Sequence, residues 1–302
     1  MLEQISDPIF MIWGENKGRF PFSNSILILE EKNRAILIDT GCGSHIIKEL
    51  KRKYSITLII NSHTHPDHSA GNWLFENEEI PIYVPEEKFN TSGNIIALSE
   101  RFTEPGTLAE YWRHFASESL GFRDCKPTHS FNKDSVFEFG NVVLQPIHTP
   151  GHTVDHYCFY EPNKEILFSF DYDLTTFGPW YGHRESNIPD FKQSIEKLKG
   201  LNARVLISGH KGIVKENIQE QLEQFRNKFD ERDRKILALL QKSEKTLDQL
   251  VDCAPIYRQF PYAEPLLRYW EGQMVLKHLE ELEKLKKVAK QNSHYFFLKK
   301  RD

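Results

Sequence analysis

A run of metal-ligating side chains directly after a short apolar segment constrains this chain more than any other feature. His63, His65, Asp67 and His68 fall within six residues. They follow residues 57–60, which read Thr-Leu-Ile-Ile and have the short, β-branched character of a buried strand. His63 and His65 are two residues apart, so both imidazoles face the same side of an extended strand end. The run therefore predicts a cation site at the end of a buried strand.

The residues that follow these ligands predict a turn and then a helix. Pro66 and Asp67 are suited to a turn, and Ser69 is a good N-cap for a helix that begins at Ala70. The alternative interpretation is a histidine-rich surface loop. It fits poorly, because three histidines and one aspartate within six residues, directly after a buried strand, are more than a solvated loop requires.

The same run resembles the His-x-His-x-Asp-His signature of the metallo-β-lactamase superfamily. His152, Asp171 and His210 extend the resemblance, because each follows a predicted strand and they occur in the order of that family's ligands. Taken singly, each would be an ordinary hydrogen-bonded loop residue. Glycines precede His152 and His210 as in the family, whereas Phe170 stands where the family usually has glycine and is expected to reshape the floor of the site. The resemblance covers about residues 5–225.

The resemblance implies a centre of two zinc ions, with iron or manganese as alternative metals for histidine and carboxylate ligands. In such a centre a metal-bound hydroxide attacks a carbonyl or phosphoryl group, and Asp67 accepts a proton and passes it to the leaving group. Asp39 is expected to support the metal loop, and His148, His156 and His183 are disfavoured as further ligands. The implied ligands are His63, His65 and His152 for one ion, Asp67, His68 and His210 for the other, and Asp171 as the bridge.

The order of predicted elements indicates an α/β protein. Strands are predicted over residues 9–13 and 25–29, and a helix is predicted over residues 44–53. The resemblance implies a four-layer αβ/βα sandwich for residues 1–225. Within it, residues 86–128 lack a strand pattern and form an insertion, which is either a lid or substrate wall or a helix pair packed on the outer face.

Residues 226–302 are predicted to form a small helical domain with the element order of a winged helix. Thr246 is a good N-cap for one of its helices. A later, longer helix is predicted to turn Trp270 and Leu285 inward. Two short strands then pair as a hairpin around Asn292 and Ser293. This order resembles a branch of the superfamily that includes a lactamase-like endoribonuclease.

The end of this predicted domain is strongly basic. Basic wings contact phosphates, although cations also stabilise the solvated C-terminus of a helix. Both interpretations remain open from the sequence. The basic residues are Lys284, Lys286, Lys287, Lys290, Lys299, Lys300 and Arg301, against a single acidic Asp302.

Bulk properties exclude several classes of protein. Hydrophobic residues make up 39% of the chain, enough for a sizeable core, and the net charge of -4 predicts neither general nucleic-acid binding nor membrane attachment. The first residues lack the pattern of a signal peptide, and no apolar run has the length of a membrane span. The four scattered cysteines fit a reducing compartment. A cytoplasmic protein without a membrane partner is expected, and a homodimer is left open.

The substrate is left open by the sequence. Esters, thioesters, lactones, β-lactams and phosphodiesters all suit such a centre, so the partner is a small-molecule ester or thioester, or a nucleic acid bound by the basic tail. The alternatives are an RNA-binding endoribonuclease or regulatory protein, and a sulfur dioxygenase with a single iron. Two zinc ions per chain would favour hydrolysis, and one iron ion would favour the dioxygenase.

Overall fold

The computed structural model describes residues 2–298 and contains two large β-sheets that face each other. The first sheet has seven strands in sequence order, antiparallel up to the fourth strand and parallel beyond it. Its strands are β1 (Leu2–Ser6), β2 (Ile9–Ile12), β3 (Ser25–Leu29), β4 (Arg34–Ile38), β5 (Ser55–Ile60), β6 (Ile82–Pro85) and β7 (His129–Phe131).

The second sheet has six strands, which also neighbour one another in sequence order. Its strands are β8 (Phe137–Phe139), β9 (Val142–His148), β10 (Tyr157–Glu161), β11 (Ile166–Phe170), β12 (Val205–Ser208) and β13 (Gly212–Val214). Only β11 and β12 are parallel neighbours, and the other pairs are antiparallel. Consequently β9, β11 and β12 all run in the same direction.

Helices cover the outer face of each sheet and give the molecule four layers. The helices are α1 (Ser44–Lys53), α2 (Pro66–Ser69), α3 (Ile95–Phe102), α4 (Thr107–Ser119), α5 (Ile188–Lys199), α6 (Ile218–Lys242), α7 (Leu247–Asp252) and α8 (Glu264–Lys284). Ile36 of β4 and Phe168 of β11 point into the core between the sheets. Leu37 faces the other way, toward α1, and Leu167 packs with α5 and α6. The four-layer sandwich is therefore confirmed.

Strand direction explains why the predicted ligands meet. The segments that carry them follow the carboxyl ends of β5, β9, β11 and β12. Strands β9, β11 and β12 end at one edge of the second sheet, and β5 of the first sheet ends beside it. The carboxyl ends of strands are the usual place for a functional site in α/β proteins. Gly41, just after β4, allows a close approach there, because a Cβ at this position would lie 1.5 Å from the Asp67 carbonyl oxygen.

The local predictions near the ligands were mostly correct, with one error. The strands at residues 9–13 and 25–29 lie within a residue of the observed β2 and β3, and the predicted helix 44–53 is α1. The prediction that Ser69 caps a helix beginning at Ala70 is wrong. The helix begins at Pro66, whose fixed φ suits the first helical position, and the Ser69 hydroxyl donates to the His65 carbonyl oxygen at 3.0 Å.

The insertion at residues 86–128 contains no strand and is built on α3 and α4. Its apolar residues, among them Leu98, Phe102 and Trp112, pack in one cluster with Leu267 and Trp270 of α8. The insertion therefore packs against the C-terminal helix α8, and the insertion and α8 together lie above the place where the ligands meet.

The C-terminal region consists of helices followed by a hairpin, in the predicted order. Its first helix, α6, is one continuous helix of 25 residues and passes through the predicted boundary at residue 225. Thr246 caps α7 in a reciprocal capping box with Gln249. The strands β15 (Val288–Gln291) and β16 (His294–Phe297) form a hairpin, and β16 also pairs with a short β14 (Lys245–Thr246).

Of two further predictions for this region, the one for Leu285 is wrong and the one for the basic end lies partly outside the described residues. Leu285 was expected to face inward, but it lies just past the end of α8 and is 60% exposed. The basic residues Lys299, Lys300 and Arg301, with Asp302, lie outside the described residues. Among residues 2–298, no helix combines the length and apolar character needed to cross a bilayer.

Candidate metal centre

All seven residues predicted as ligands converge where the ends of β5, β9, β11 and β12 meet. The Asp171 carboxylate lies at the centre of the cluster, 2.7 Å from His68 Nε2, 3.0 Å from His152 Nε2 and 3.3 Å from His210 Nε2. His63 Nε2 lies 3.8 Å from the same carboxylate. Four imidazoles from three separate segments therefore surround one carboxylate, which is the place expected for a bridging ligand.

The cluster divides into two groups of potential metal ligands within the described residues. In each group the donor atoms lie within 4.8 Å of one another. This division matches the one implied by the family resemblance, with Asp171 in the first group. The groups are His63, His65, His152 and Asp171, and Asp67, His68 and His210.

Three buried polar atoms at the centre of the cluster suit a metal ion. His63 Nε2, His68 Nε2 and Asp171 Oδ1 have no hydrogen bond of acceptable geometry among the described residues. A buried polar atom without a partner costs about 1–3 kcal/mol, and a coordinated cation removes that cost. Nitrogen and carboxylate donors without thiolate suit zinc, iron or manganese. The residues present therefore fit a divalent metal centre.

Asp39 fixes the protonation of two of these imidazoles. Its buried carboxylate accepts hydrogen bonds from His68 Nδ1–H at 2.7 Å and from the Ser62 hydroxyl at 2.8 Å. The Ser62 oxygen in turn lies 3.0 Å from His63 Nδ1 and accepts its proton. With Nδ1 protonated in both rings, His63 and His68 present Nε2 to the cluster. Asp39 thus has the supporting position predicted for it.

Backbone carbonyl groups fix the protonation of two further imidazoles. His152 Nδ1–H donates to the carbonyl oxygen of Trp180 at 2.8 Å. His210 Nδ1–H donates to the carbonyl oxygen of Gly18 at 2.8 Å. Both rings therefore also turn Nε2 toward Asp171. These hydrogen bonds also attach the loops that carry Trp180 and Gly18 to the centre.

His65 is oriented the opposite way. Its Nδ1 faces the cluster, 2.9 Å from His152 Nε2, and its Nε2 lies 3.0 Å from His183 Nδ1. His183 thus supports a predicted ligand without belonging to either ligand group. His156 Nε2 accepts the backbone N–H of Asp171 at 3.4 Å, and His148 Nε2–H donates to a backbone carbonyl oxygen. All three disfavoured histidines are therefore engaged in hydrogen bonds.

The electrostatics of the cluster separate its imidazoles into two kinds in the metal-free protein. Burial opposes protonation of His68 and His210, yet the Asp171 carboxylate raises the pKa of His68 well above its ordinary value and that of His210 to about 9. Burial and neighbouring imidazoles lower the pKa of His63 and His65 well below the ordinary value. Metal binding must therefore release protons.

A buried ionic network attaches the insertion to the metal loop. Arg101 of α3 binds the carboxylates of Asp155 and Glu185, and its guanidinium also donates to the hydroxyl of Thr64. Thr64 lies between two predicted ligands and donates to Asp155 at 2.6 Å. Arg101 therefore positions the wall formed by α3 relative to the centre.

The cluster forms the floor of a cavity of about 630 Å³. One wall is aromatic and comes from the insertion, through Phe102 and Trp112. A second wall comes from the C-terminal region, through Tyr257 and Trp270. The Trp180 indole packs on this second wall, because its Nε1–H donates to the Tyr257 hydroxyl at 2.6 Å and its ring lies 5.5 Å from that of Trp270.

Sequence reasoning missed the residues that shape this cavity. Trp180, Tyr257 and Trp270 come from loops and a helix far apart in the chain, and no local pattern separates them from ordinary core aromatics. Phe170, which was expected to reshape the floor, has its ring 6.4 Å from the ring of the predicted ligand His68. Its backbone is left-handed, with φ of 47°, where glycine would be unstrained, and its ring packs between the sheets, 5.9 Å from the Phe159 ring.

Comparison with known proteins agrees with this geometry. The sequence model of the metallo-beta-lactamase superfamily matches residues 18–210. A Beta-lactamase-like protein 2 homolog from Caenorhabditis elegans is 26% identical over 297 residues, covering 92% of this chain and 86% of the relative. An Atrochrysone carboxyl ACP thioesterase from Aspergillus fumigatus is 25% identical over 255 residues, covering 81% of this chain and 68% of the relative.

Solved structures share the architecture along almost the whole chain. A metallo-beta-lactamase family protein from Thermus thermophilus aligns with a TM-score of 0.75 at 23% identity, covering 98% of this chain and 100% of that protein. A beta-lactamase domain protein from Burkholderia ambifaria aligns with a TM-score of 0.73 at 15% identity, covering 98% of this chain and 93% of that protein. Because the superfamily's sequence model spans more than half of the residues, the chain belongs to the metallo-beta-lactamase superfamily and is a metal-dependent hydrolase.

Proposed function

We propose that the chain hydrolyses an ester or thioester with a bulky apolar acyl group, at a centre of two divalent metal ions. The observation that carries this proposal is the aromatic cavity directly above the ligand cluster. Phe102, Trp112 and Trp270 supply apolar walls, and such walls suit an acyl chain or ring far better than a phosphodiester backbone. The Aspergillus fumigatus relative is named as a thioesterase, which supports the same class of substrate.

The ions are proposed to be zinc, held as the family resemblance implies. Bound metal ions of this kind lower the pKa of a coordinated water and polarise the carbonyl group that is attacked. The residues that would hold them are His63, His65 and His152 on one side, Asp67, His68 and His210 on the other, and Asp171 between them.

Asp67 has the position of a proton carrier in this reaction. Its carboxylate lines the cavity beside Asp171 and lies 3.6 Å from His210 Nε2. In the metal-free protein, burial raises the pKa of Asp67 above its ordinary value. In the proposed reaction this carboxylate would pass a proton to the leaving group.

The C-terminal region is proposed to be a winged-helix-like unit whose first role is to build the substrate wall. Tyr257 and Trp270 line the cavity, and the core of this region is continuous with the outer core of the second sheet. The runner-up is an RNA-cleaving enzyme. The exposed Lys286, Lys287 and Lys290 favour it, because they could contact phosphates.

A sulfur dioxygenase is a weaker alternative, because a single iron would leave part of the seven-residue set unused. The compartment is proposed to be the cytoplasm, since Cys42, Cys125 and Cys158 are buried free thiols. Metal analysis of purified protein separates the hydrolase from the dioxygenase, with two zinc ions supporting the former and one iron ion the latter.

The reaction is tested by supplying zinc-loaded protein with the N-acetylcysteamine thioester of an aromatic acid and with a labelled single-stranded RNA. Release of thiol without cleavage of RNA is the expected result. Asp171→Ala should abolish both metal binding and thioester hydrolysis, whereas His114→Ala, on the exposed face of α4, should change neither. RNA cleavage without thioester hydrolysis would replace the proposal with the runner-up.

A further inference from the structure

A positively charged site at the mouth of the cavity is not used by the proposed reaction. Lys17 and Arg19 line the same cavity as the ligand cluster, and both residues are exposed. Within the described part of the chain, neither forms an ion pair with a carboxylate. Lys211, the third cation of the cavity, is already engaged, because its ammonium donates to the Leu174 carbonyl oxygen at 2.9 Å and to Gln221 at 2.6 Å.

The loop that carries the two free cations is attached to the metal centre. Lys17 and Arg19 flank Gly18, whose carbonyl oxygen accepts the Nδ1–H of His210 at 2.8 Å. Asn16 and Lys17 have left-handed backbones with φ of 50° and 59°, which costs about 1–2 kcal/mol for each. Such backbone persists where surrounding contacts impose it. The backbone that carries the two cations is therefore fixed relative to a predicted ligand.

Asn24 anchors the other end of this loop to the second sheet. Its side-chain oxygen accepts the backbone N–H of Gly14 at 3.1 Å, and its own backbone N–H donates to the Gly209 carbonyl oxygen at 2.7 Å. Its side-chain amide donates to the Ser208 carbonyl oxygen at 3.2 Å. Both ends of the loop thus bind the segment that leads into His210, so the loop is a fixed platform.

The charges of the cavity are segregated. The carboxylates that line it, Asp67, Asp171 and Asp173, belong to the ligand cluster or lie beside it, whereas the unpaired cations are at the mouth. A substrate with its carbonyl at the cluster and its acyl group against the aromatic walls must extend its leaving group out of the cavity. An anionic leaving group would meet these cations on the way.

We propose that Lys17 and Arg19 form a binding site for an anionic group, phosphate or carboxylate, on the leaving-group half of the substrate. This inference rests on the proposed function, because that function defines which half is the leaving group. It narrows the substrate class to thioesters or esters whose thiol or alcohol part bears negative charge. Phosphate and carboxylate share the chemistry that two unpaired cations recognise.

The first test measures binding without turnover, with desulfo-coenzyme A as the probe. This compound carries phosphates but has no thiol to coordinate a metal ion, and calorimetry gives its Kd for the zinc-loaded protein. Lys17→Ala and Arg19→Ala should each weaken binding about 3- to 10-fold. Lys32→Ala is the matched control, because Lys32 is also an exposed lysine with φ of 59° in a short turn. It should bind the probe as the parent does.

The second test compares three thioesters of one aromatic acid. Their thiol parts are coenzyme A, uncharged N-acetylcysteamine and mercaptopropionate, which bears a carboxylate. Lys17→Ala and Arg19→Ala should raise KM for the charged thioesters with kcat nearly unchanged, and should leave KM for the uncharged one unaltered. A larger effect on the coenzyme A thioester identifies phosphate as the group bound, and a larger effect on the mercaptopropionate thioester identifies carboxylate.

The inference is overturned if neither variant changes probe binding or KM, or if the uncharged thioester is affected as strongly as the charged ones. Failure of the proposed function has a different signature. In that case the parent protein hydrolyses none of the three thioesters, whatever the result of the calorimetric titration. A titration that then still depends on Lys17 and Arg19 would leave the anion site in place for another reaction.

Discussion

Replacing Asp39 by asparagine tests how the chain sets the protonation of its predicted metal ligands. Asp39 is fully buried, and its carboxylate accepts hydrogen bonds from the Ser62 N–H, the Ser62 hydroxyl and His68 Nδ1–H, all at 2.7–2.8 Å. Asparagine has the same shape, but half of its side-chain amide is a donor. The amide N–H that faces His68 requires an acceptor, which moves the imidazole proton from Nδ1 to Nε2. His68 then presents a proton where the metal ion should bind.

The expected loss follows from this change of tautomer. Removing such a supporting partner typically weakens metal binding about 10- to 100-fold, which corresponds to about 1.4–2.8 kcal/mol. The metal-free protein should also lose about 1.5–3 kcal/mol of folding stability, because a charge-assisted hydrogen bond is removed from the core. The hydroxyl of Ser62 loses an acceptor as well, so the effect on His63 has the same sign.

A competition titration with a chromophoric chelator measures this loss of zinc affinity, and circular dichroism verifies that the variant is folded. Glu161→Gln is the control, since Glu161 is also a fully buried carboxylate, but its partners are the backbone N–H groups of Val143 and Lys164 and the side-chain amide of Asn163. It should lower stability and leave zinc affinity unchanged. If Asp39→Asn binds zinc with the affinity of the parent, the reasoning about tautomers is refuted.

Three further predictions concern pH, the buried ionic network and the aromatic wall. The pKa of His210 is about 9 in the metal-free fold and 6.5 ordinarily, so zinc affinity should rise with pH up to about 9, as zinc titrations at several pH values would show. The contribution of protonated His210 to the stability of the metal-free protein is full below pH 6.5 and is lost as the pH rises to about 9, which thermal melts at the same pH values would measure. Arg101→Ala should cost about 3–5 kcal/mol in urea denaturation, because it leaves Asp155 buried without its cation, and a cost below 1 kcal/mol would contradict this. Trp270→Ala should raise KM for an aromatic thioester about tenfold or more, since it removes a wall residue that is 6% exposed; an unchanged KM would place the acyl group elsewhere.

The ligand run was predictable because its information is local. The spacing of His63 and His65 predicts that they share one face, and the apolar residues before them predict the strand. The later ligands His152, Asp171 and His210 carry no such local signal, and only the order of a known family connected them. The structure then supplies the physical reason, which is that β9, β11 and β12 end at one edge of the second sheet and β5 of the first sheet ends beside them.

The cavity was not predictable, because it depends on contacts between distant segments. Trp270 reads as a core residue of an amphipathic helix, and nothing in its neighbourhood shows that α8 packs on the insertion. Lys17 and Arg19 read as ordinary loop cations, because their relation to the centre is a hydrogen bond between the Gly18 carbonyl and His210, which is 192 residues away. The prediction that Leu285 faces inward failed for a local reason, because Leu285 follows the last residue of α8 and helical periodicity no longer sets the direction of its side chain.

Zinc content and thioester hydrolysis, measured together on one preparation of the parent protein and of Asp171→Ala, test the central claim most directly. Asp171 approaches four imidazoles from three separate segments, so its loss should remove metal and activity in parallel. We expect two zinc ions per chain and rapid release of thiol from the aromatic thioester in the parent, with both lost in the variant. Hydrolysis that continues at the parental rate in a metal-depleted Asp171→Ala would contradict it.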